Sequence, residues 1–506
     1  MRALAVYLKP YRKESLLAPL FKLLEALFDL LVPLVVARMI DAGDARHTVL
    51  LCFAGLLAMA AVGLGCSVLA QFFAAKASVG FAGSLRQALL DHIQSLSYTE
   101  LDRLGSDTLI TRLSDDVNQV QNGLNLGLRL LLRSPFIVLG AMVMAFTIDF
   151  RCALVFAVTI PVLFAVVFGI MLLSIPLFGK AQAGLDRVTA ETRENLTGVR
   201  VIRAFCREEQ SVEEFEASNR ALTRLNLFVG RISALMNPLT YVLINLGAVV
   251  LIRQAAGQVD LGVFQQGQVV ALYNYMLQII VELIKLASLI ITLNKSLACA
   301  KRTAAVLAVE PGMTYPDAAE AAPAGAAAVE FRDVSFTYQG AGAPSLSGIS
   351  FAAKPGDTIG VIGGTGSGKS TLVDLIPRFY DATSGSVLLD GQDVRSLPQE
   401  TLREKVGVVP QRSQLFQGSI RDNLRWGRED ASDEQLWRAL TLAQAREVVE
   451  GKPGGLDFPL EQNGRNLSGG QRQRLTIARA LVKEPEILIL DDSSSALDFA
   501  TDAALR

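Results

Sequence analysis

The sequence is short of the residues that soluble proteins put on their surfaces. Only 19% of its 506 residues are charged, 51% are hydrophobic, and the mean hydropathy is +0.36. That balance excludes an ordinary soluble globule of this length and requires much of the chain to sit in lipid. An excess of positive charge is also missing. The net charge is −1 and the isoelectric point about 6.3, so no global basic field exists to hold nucleic acid. Histidine is nearly absent, with only His47 and His92. The five cysteines (Cys52, Cys66, Cys152, Cys206 and Cys299) lack metal-ligand or CxxC spacing and read as reduced fillers without a functional role.

What is present is unevenly distributed. Long apolar runs fill residues 14–300, whereas 329–506 has the pattern of a soluble α/β domain. Between them EPGMTYPDAAEAAPAGAAA, residues 310–328, is rich in Ala, Pro and Gly and has no apolar period, which suits a linker. We expect a transmembrane domain over 1–305, a linker over 306–328 and a soluble domain over 329–506. Six segments, roughly 16–40, 49–75, 124–148, 152–178, 229–252 and 266–293, reach the ~20 apolar residues that span a bilayer. Arg2, Lys9, Arg12 and Lys13 precede a first run too long for a cleaved signal peptide, so that run reads as a retained anchor.

Orientation follows from the loops. Residues 180–231 carry Lys180, Arg187, Arg193, Arg200, Arg203 and Arg207 among other cations, whereas the short connections near 41–48, 149–151 and 253–260 hold only Arg46, Arg151 and Arg253. Positive loops stay inside, which puts both termini in the cytoplasm. The connections 76–123 and 180–228 are long, polar and helix-patterned, so spans two to three and four to five should continue as cytoplasmic stalks. In the sixth segment Asn274, Gln278, Glu282, Lys285, Ser288 and Thr292 recur at steps of three and four and form one stripe. Such groups are costly in lipid and must face the bundle interior or a wet cavity. Two readings stand: a Glu282–Lys285 pair with helix-to-helix hydrogen bonds, or a substrate-lining surface. Lys22, Glu25 and Asp29 share a face near the cytoplasmic entry of the first segment, where a structural role at the interface is expected. Pro33, Pro135, Pro161, Pro176 and Pro238 predict kinks.

The soluble part carries phosphate chemistry. GVIGGTGSGKST, residues 360–371, contains GxxxxGKS between a β-like TIG and a helix-like TLVDLIPRFY. Gly363, Gly364, Thr365, Gly366, Ser367 and Gly368 can turn backbone N–H groups around a polyphosphate, and the helix opening at Ser370 and Thr371 aims its positive end at the same anion. Lys369 then suits the β- and γ-phosphates, and the Ser370 hydroxyl suits Mg²⁺. ILILDD, residues 487–492, ends an apolar strand in Asp491, placed to hold Mg²⁺ through water, and Asp492, placed against the attacking water. In NLSGGQRQRLTIARAL, residues 466–481, Ser468, Gly469, Gly470 and Gln471 open an amphipathic helix whose N–H groups suit another anion. One chain cannot easily bring two phosphate-binding helix ends to one nucleotide.

With these motifs in this order behind six spans, nearly the whole chain resembles an ATP-binding-cassette (ABC) exporter half-transporter. The resemblance implies an all-α six-helix transmembrane domain of the type I exporter kind, followed by an α/β P-loop cassette. It implies ATP and Mg²⁺ as cofactors and a second half-transporter as partner, in a homo- or heterodimer that sandwiches two ATP molecules between P-loops and opposing LSGGQ segments. It further implies a multi-pass protein of the plasma (inner) membrane, in contact with lipid, exporting a small or amphipathic solute such as a drug, lipid or peptide. Tyr338 matches the aromatic that stacks on adenine. Gln411 matches the glutamine that touches Mg²⁺ and senses the membrane domain. Glu461 matches the acidic residue facing the cytoplasmic ends of the spans, and SALD, residues 495–498, matches the segment that crosses to the partner.

The sequence departs from the family pattern twice. Asp492 stands where active members carry Glu, which withdraws the carboxylate by roughly 1.5 Å and predicts a site that binds ATP but turns it over slowly. A weak site of this kind suits one half of a heterodimer, whose intact LSGGQ completes the partner's site. An ATP-gated channel or a regulatory subunit is the alternative. The family's further core strand, with its γ-phosphate histidine, is not found between SALD and Arg506. The expectation is a fragment of a longer chain rather than a truncated product, with a cassette that folds poorly when this stretch is expressed alone.

Overall fold

The structure, a computed structural model, describes residues 4–260, 264–318, 325–493, 497 and 499–505. They form two compact units, one of residues up to 91 with 107–308, the other of 92–106 with 309 onward. The helices of the first part of the chain are α1 (Arg12–Asp41), α2 (Arg46–Ser95), α3 (Tyr98–Leu104), α4 (Ser106–Thr111), α5 (Val117–Leu130) and α6 (Arg133–Ile148). They continue as α7 (Phe150–Thr197), α8 (Val199–Ala204), α9 (Glu208–Ala234), α10 (Met236–Asp260) and α11 (Gln266–Leu307).

Among the described residues, five helical stretches are long and apolar enough to cross a membrane: Arg46–Ser95, Ser106–Ile148, Phe150–Thr197, Glu208–Val259 and Gln266–Leu307. The remaining expected span is α1, which has the length but carries Lys22, Glu25 and Asp29 in its middle. At 50 and 48 residues, α2 and α7 run for about 75 Å, far beyond the ~30 Å of a hydrocarbon core. Asp149 alone joins α6 to α7, and its carboxylate caps α7 by accepting from the Cys152 N–H at 2.6 Å.

Proline explains two irregularities. Pro135 has no N–H to give the Leu131 carbonyl, and the helix breaks at 131–132, between α5 and α6. Pro33 likewise leaves the Asp29 carbonyl without its helical donor; Gln278 Nε2 of α11 supplies one at 3.0 Å, beside the Tyr275 hydroxyl donating to Leu30 O at 2.6 Å. Two positions of α11 therefore repair and clamp α1.

Of the rest of the polar stripe, Glu282 and Lys285 are ionic, Ser288 and Thr292 bond locally, and Asn274 lines a cavity. The Glu282 carboxylate accepts from Arg133 at 2.6 Å, Ser134 at 2.7 Å and Lys285 at 2.9 Å, and Arg133 also reaches Asp29 at 2.8 Å. Lys22 binds Glu25 at 2.5 Å and Ser67 at 3.2 Å. The Ser288 and Thr292 hydroxyls donate back to carbonyls of their own helix.

The second unit comprises β1 (Val329–Phe336), β2 (Leu346–Ala353), α12 (Lys369–Asp374), β3 (Ser384–Leu389), β4 (Gln392–Asp393), α13 (Gln399–Lys405), β5 (Val406–Val409) and β6 (Gly418–Ser419). It continues through α14 (Ile420–Arg425), α15 (Asp433–Leu442), α16 (Arg446–Glu450), β7 (Pro459–Leu460), α17 (Gly469–Val482), β8 (Ile487–Leu490) and α18 (Phe499–Leu505). An antiparallel sheet runs β2-β1-β3-β4, while β5 and β8 pair in parallel from Val406↔Ile487 to Val409↔Leu490. Two apolar cores result: Phe331, Val334, Leu375 and Leu389 anchor the sheet, and Leu436, Leu440, Leu475 and Ile477 anchor the helical part.

One local expectation is corrected. The strand predicted just before the glycine loop is not formed: residues 357–364 are irregular and exposed, with Ile362 97% exposed. A buried parallel strand needs a partner in register, and among the described residues β8 is paired on one edge with β5 while 357–364 form no ladder with its other edge. Ile359 and Val361 instead share a cavity of about 360 Å³ with Leu488 and Leu490. The helix after the loop is also short, because Pro377 cannot continue it.

Candidate functional site

The glycine loop sits ahead of α12, with Gly366 and Gly368 at φ +81° and +87°, a backbone that side chains rarely adopt. Gly368 is doubly required, since a Cβ there would lie 2.7 Å from the Ser345 carbonyl. The Lys369 ammonium folds back onto the loop and donates to the carbonyls of Gly363 and Gly364, at 2.8 Å each. Residues 363–367 are exposed, so their backbone is open to a ligand.

Tertiary structure brings the end of β8 to this loop. The Asp491 N–H donates to Val409 O at 3.0 Å, extending the parallel ladder by one residue, and the Ser370 hydroxyl donates to Asp491 Oδ1 at 3.1 Å. One hydroxyl and one carboxylate are hard oxygen donors, a set that fits a Mg²⁺ whose other ligands are phosphates and water. Asp492 leaves the strand in the left-handed region, φ +46°, and its Oδ2 accepts from Gln411 Nε2 at 3.3 Å. Gln411 is therefore placed beside Asp492.

Tyr338 packs edge-on against Phe336 and Tyr380, with ring centroids 4.7 and 5.4 Å away, and its hydroxyl pairs with that of Thr371 at 3.0 Å. This puts an aromatic ring over the first turn of α12. The LSGGQ residues belong to the helical core instead. Ser468 caps α17, its Oγ accepting from Gln471 N–H at 3.3 Å while Gln471 Oε1 accepts from Ser468 N–H at 3.1 Å. The sequence expected the small residues to leave donors for an anion; Ser468 and Gln471 also form a reciprocal cap. Glu461 precedes Asn466, whose side chain ties Glu461 N–H to Pro459 O. Of the SALD segment, residues 495, 496 and 498 lie outside those described.

A second cluster was not legible in the sequence. The short helix α3 packs with the cassette: the Tyr98 ring lies 4.6 Å from Phe379 and 6.0 Å from Tyr380, and the Tyr380 hydroxyl donates to Asp102 Oδ2 at 2.5 Å. Burial and the neighbouring Asp102 push the Tyr380 phenol well above its usual range. Asp374, on the last turn of α12, is pushed up to about 6 by burial, then by the charges of Asp491 and Asp102. It stands electrostatically between Asp491 and Asp102 of α3. Arg378, buried at φ +55°, donates to Asp381 at 2.7 Å and to Thr314 O at 3.1 Å and covers the Tyr315 ring, pinning the expected linker to this unit. The only sequence signal for this cluster was the aromatic pair after Pro377.

Known proteins share both parts of this design. Residues 15–283 match the family described as the ABC transporter transmembrane region, and residues 346–495 match the family described as ABC transporter. An uncharacterized ABC transporter ATP-binding protein of Mycobacterium tuberculosis is 36% identical over 99% of this chain and 87% of its own length. The uncharacterized ABC transporter ATP-binding protein YfiB of Bacillus subtilis has the same identity and coverage. An ATP-dependent lipid A-core flippase of Chromobacterium violaceum is 32% identical over 83% of this chain and 72% of its own.

Proposed function

The chain belongs to the ABC transporters, with a multi-pass membrane region fused to an ATP-binding domain, and we propose that it is one half of a dimeric ATP-driven exporter. The observation that supports this most directly is the pairing of Ser370 with Asp491 beside the loop that Lys369 closes. In this reading the transmembrane domain is 1–305, the linker 306–328 and the nucleotide-binding domain 329–506, with both termini on the cytoplasmic face of the plasma membrane.

Roles follow residue by residue. Gly363, Gly364, Thr365, Gly366, Ser367, Gly368, Lys369 and Thr371 hold the polyphosphate, and Tyr338 meets the base. Ser370, Asp491 and Gln411 serve the Mg²⁺. Ser468, Gly469, Gly470 and Gln471 serve the nucleotide of the partner half. Asp492 takes the position of the base, one methylene short, so this site is slow and the partner's does most of the turnover. Bound ATP supplies the driving free energy; the chain's own part is to hold it and to pass cassette movement through α3 to the stalks.

The test is transport. Inverted vesicles carrying this chain with its partner should accumulate an amphipathic solute against its gradient only with hydrolysable ATP. Downhill flux opened equally by a non-hydrolysable analogue would instead make the protein an ATP-gated channel or regulatory subunit.

A further inference from the structure

Two cavities of about 450 Å³ each open in the helical unit. Asp29, Arg133, Asn274, Gln278, Glu282 and Lys285 line the first, whose other walls are aliphatic, and no aromatic ring lines it among the described residues. Leu124, Leu128, Leu132, Leu293 and Leu297 line much of the second, where Ser296 is the one polar side chain among those described and is already bonded to Gln119 O at 2.6 Å. Consecutive residues line the two, Leu132 the apolar cavity and Arg133 the charged one. On α11, Lys285 and Leu293 are about 12 Å apart.

The ionised groups of the first cavity are unequally committed. Glu282 is saturated by three donors and its side chain is 4% exposed, and the Arg133 side chain, 11% exposed, is spread over Glu282 and Asp29. Asp29 and Lys285 are different: their side chains are 42% and 43% exposed. Asp29 bonds Arg133 through Oδ2, and Lys285 bonds Glu282 with one of its three ammonium donors. The cavity thus offers one acceptor and one donor of opposite charge, while its two acids and two bases cancel.

We infer that these two cavities form one binding site for a zwitterionic single-chain amphiphile, its cation at Asp29, its anion at Lys285 and its alkyl chain in the leucine-lined slot. A purely anionic head would sit unbalanced beside Asp29, a purely cationic head would leave Lys285 without a counter-charge, and either mismatch lowers affinity. In the charged cavity a flat aromatic head group finds no ring to stack on among the described residues; Phe81 lines the apolar one. The inference deepens the export reading and rests on it only for the claim that the bound solute is moved.

Binding is therefore measured without ATP, on the transporter in nanodiscs, with radiolabelled alkylphosphocholine, alkyl sulfate and alkyltrimethylammonium of one chain length. Alkylphosphocholine should bind about tenfold tighter than either of the others. Asp29→Asn should remove the preference over alkyl sulfate, Lys285→Gln the preference over alkyltrimethylammonium, and Leu297→Trp should shorten the longest chain bound. Because Lys285→Gln disturbs the buried Glu282, the other two variants, which leave its partners in place, decide the matter if it does not fold. Equal binding of the three probes, or an unchanged order in Asp29→Asn together with unchanged chain length in Leu297→Trp, overturns the site. Selective binding without ATP-driven movement refutes export and leaves the site standing; movement without head-group selectivity does the reverse.

Discussion

The Ser370 hydroxyl donates to the Asp491 carboxylate at 3.1 Å, joining the turn after a glycine loop to the end of a strand 121 residues later. Asp491→Asn keeps a hydrogen-bond acceptor there and removes the charge. Magnesium-dependent ATP hydrolysis by the assembled transporter should be lost at this site, while nucleotide binding in the presence of a chelator persists. Unchanged magnesium dependence would remove Asp491 from the cation site.

Asp492 sits exposed in a left-handed turn with its carboxylate beside Gln411. Adding one methylene moves a carboxylate by roughly 1.5 Å, a displacement that costs or restores on the order of a hundredfold in rate. Asp492→Glu should therefore raise steady-state ATPase activity of the reconstituted transporter. No rise would show that reach does not limit this site.

The Tyr380 hydroxyl holds Asp102 of α3. Tyr380→Phe deletes a hydrogen bond worth about 1–3 kcal/mol, and Tyr98→Ala deletes the aromatic packing beneath it. Both variants should keep ATPase activity yet transport less solute for each ATP split. A fall in both rates in parallel would mean that the contact supports folding alone.

Asp374 titrates near 6 because burial, Asp491 and Asp102 all disfavour its charge. A raised carboxyl pKa means that the folded state holds the proton more tightly than the unfolded chain. Its favourable contribution is complete below about pH 4 and disappears as pH rises through 6. Asp374→Asn should stabilise the cassette above pH 6, by about 1 kcal/mol once solvent screening at this half-buried position is allowed for, and flatten the dependence of melting temperature on pH between 4 and 6. A melting profile unchanged by the substitution contradicts this.

Glu282 is buried under three donors. Glu282→Leu leaves Arg133 to Asp29, takes the shared acceptor from Ser134 and Lys285, and should cost about 3–5 kcal/mol, seen as a large loss of thermal stability in the solubilised transporter. Glu282→Gln, which keeps an acceptor, should cost less. Equal losses would argue that packing volume dominates at this position.

Much of this was readable in advance because it is written locally. Apolar run length marked the helices, GKS and ILILDD marked the glycine loop and the carboxylate that Ser370 meets, and the spacing from Asn274 to Thr292 marked one face of α11. The strand expected before the glycine loop failed, since the apolar residues of TIGVI state a preference for burial but not which edge will be open to receive them. The roles of Gln278 and Tyr275 were equally hidden: their partners are the carbonyls of Asp29 and Leu30, and the need for a donor arises at Pro33.

The sequence by itself determined that the chain has several helices apolar enough to cross a membrane and a glycine loop ahead of a helix, because hydrophobic run length and a glycine-dependent turn are properties of neighbouring residues. Only the tertiary structure decided which distant groups share a charge: Arg133 with Asp29 and Glu282, Ser370 with Asp491, Tyr380 with Asp102. An ionised or hydrogen-bonding group removed from water must find its counterpart within about 3 Å, and packing of separate elements alone sets which candidate lies that close.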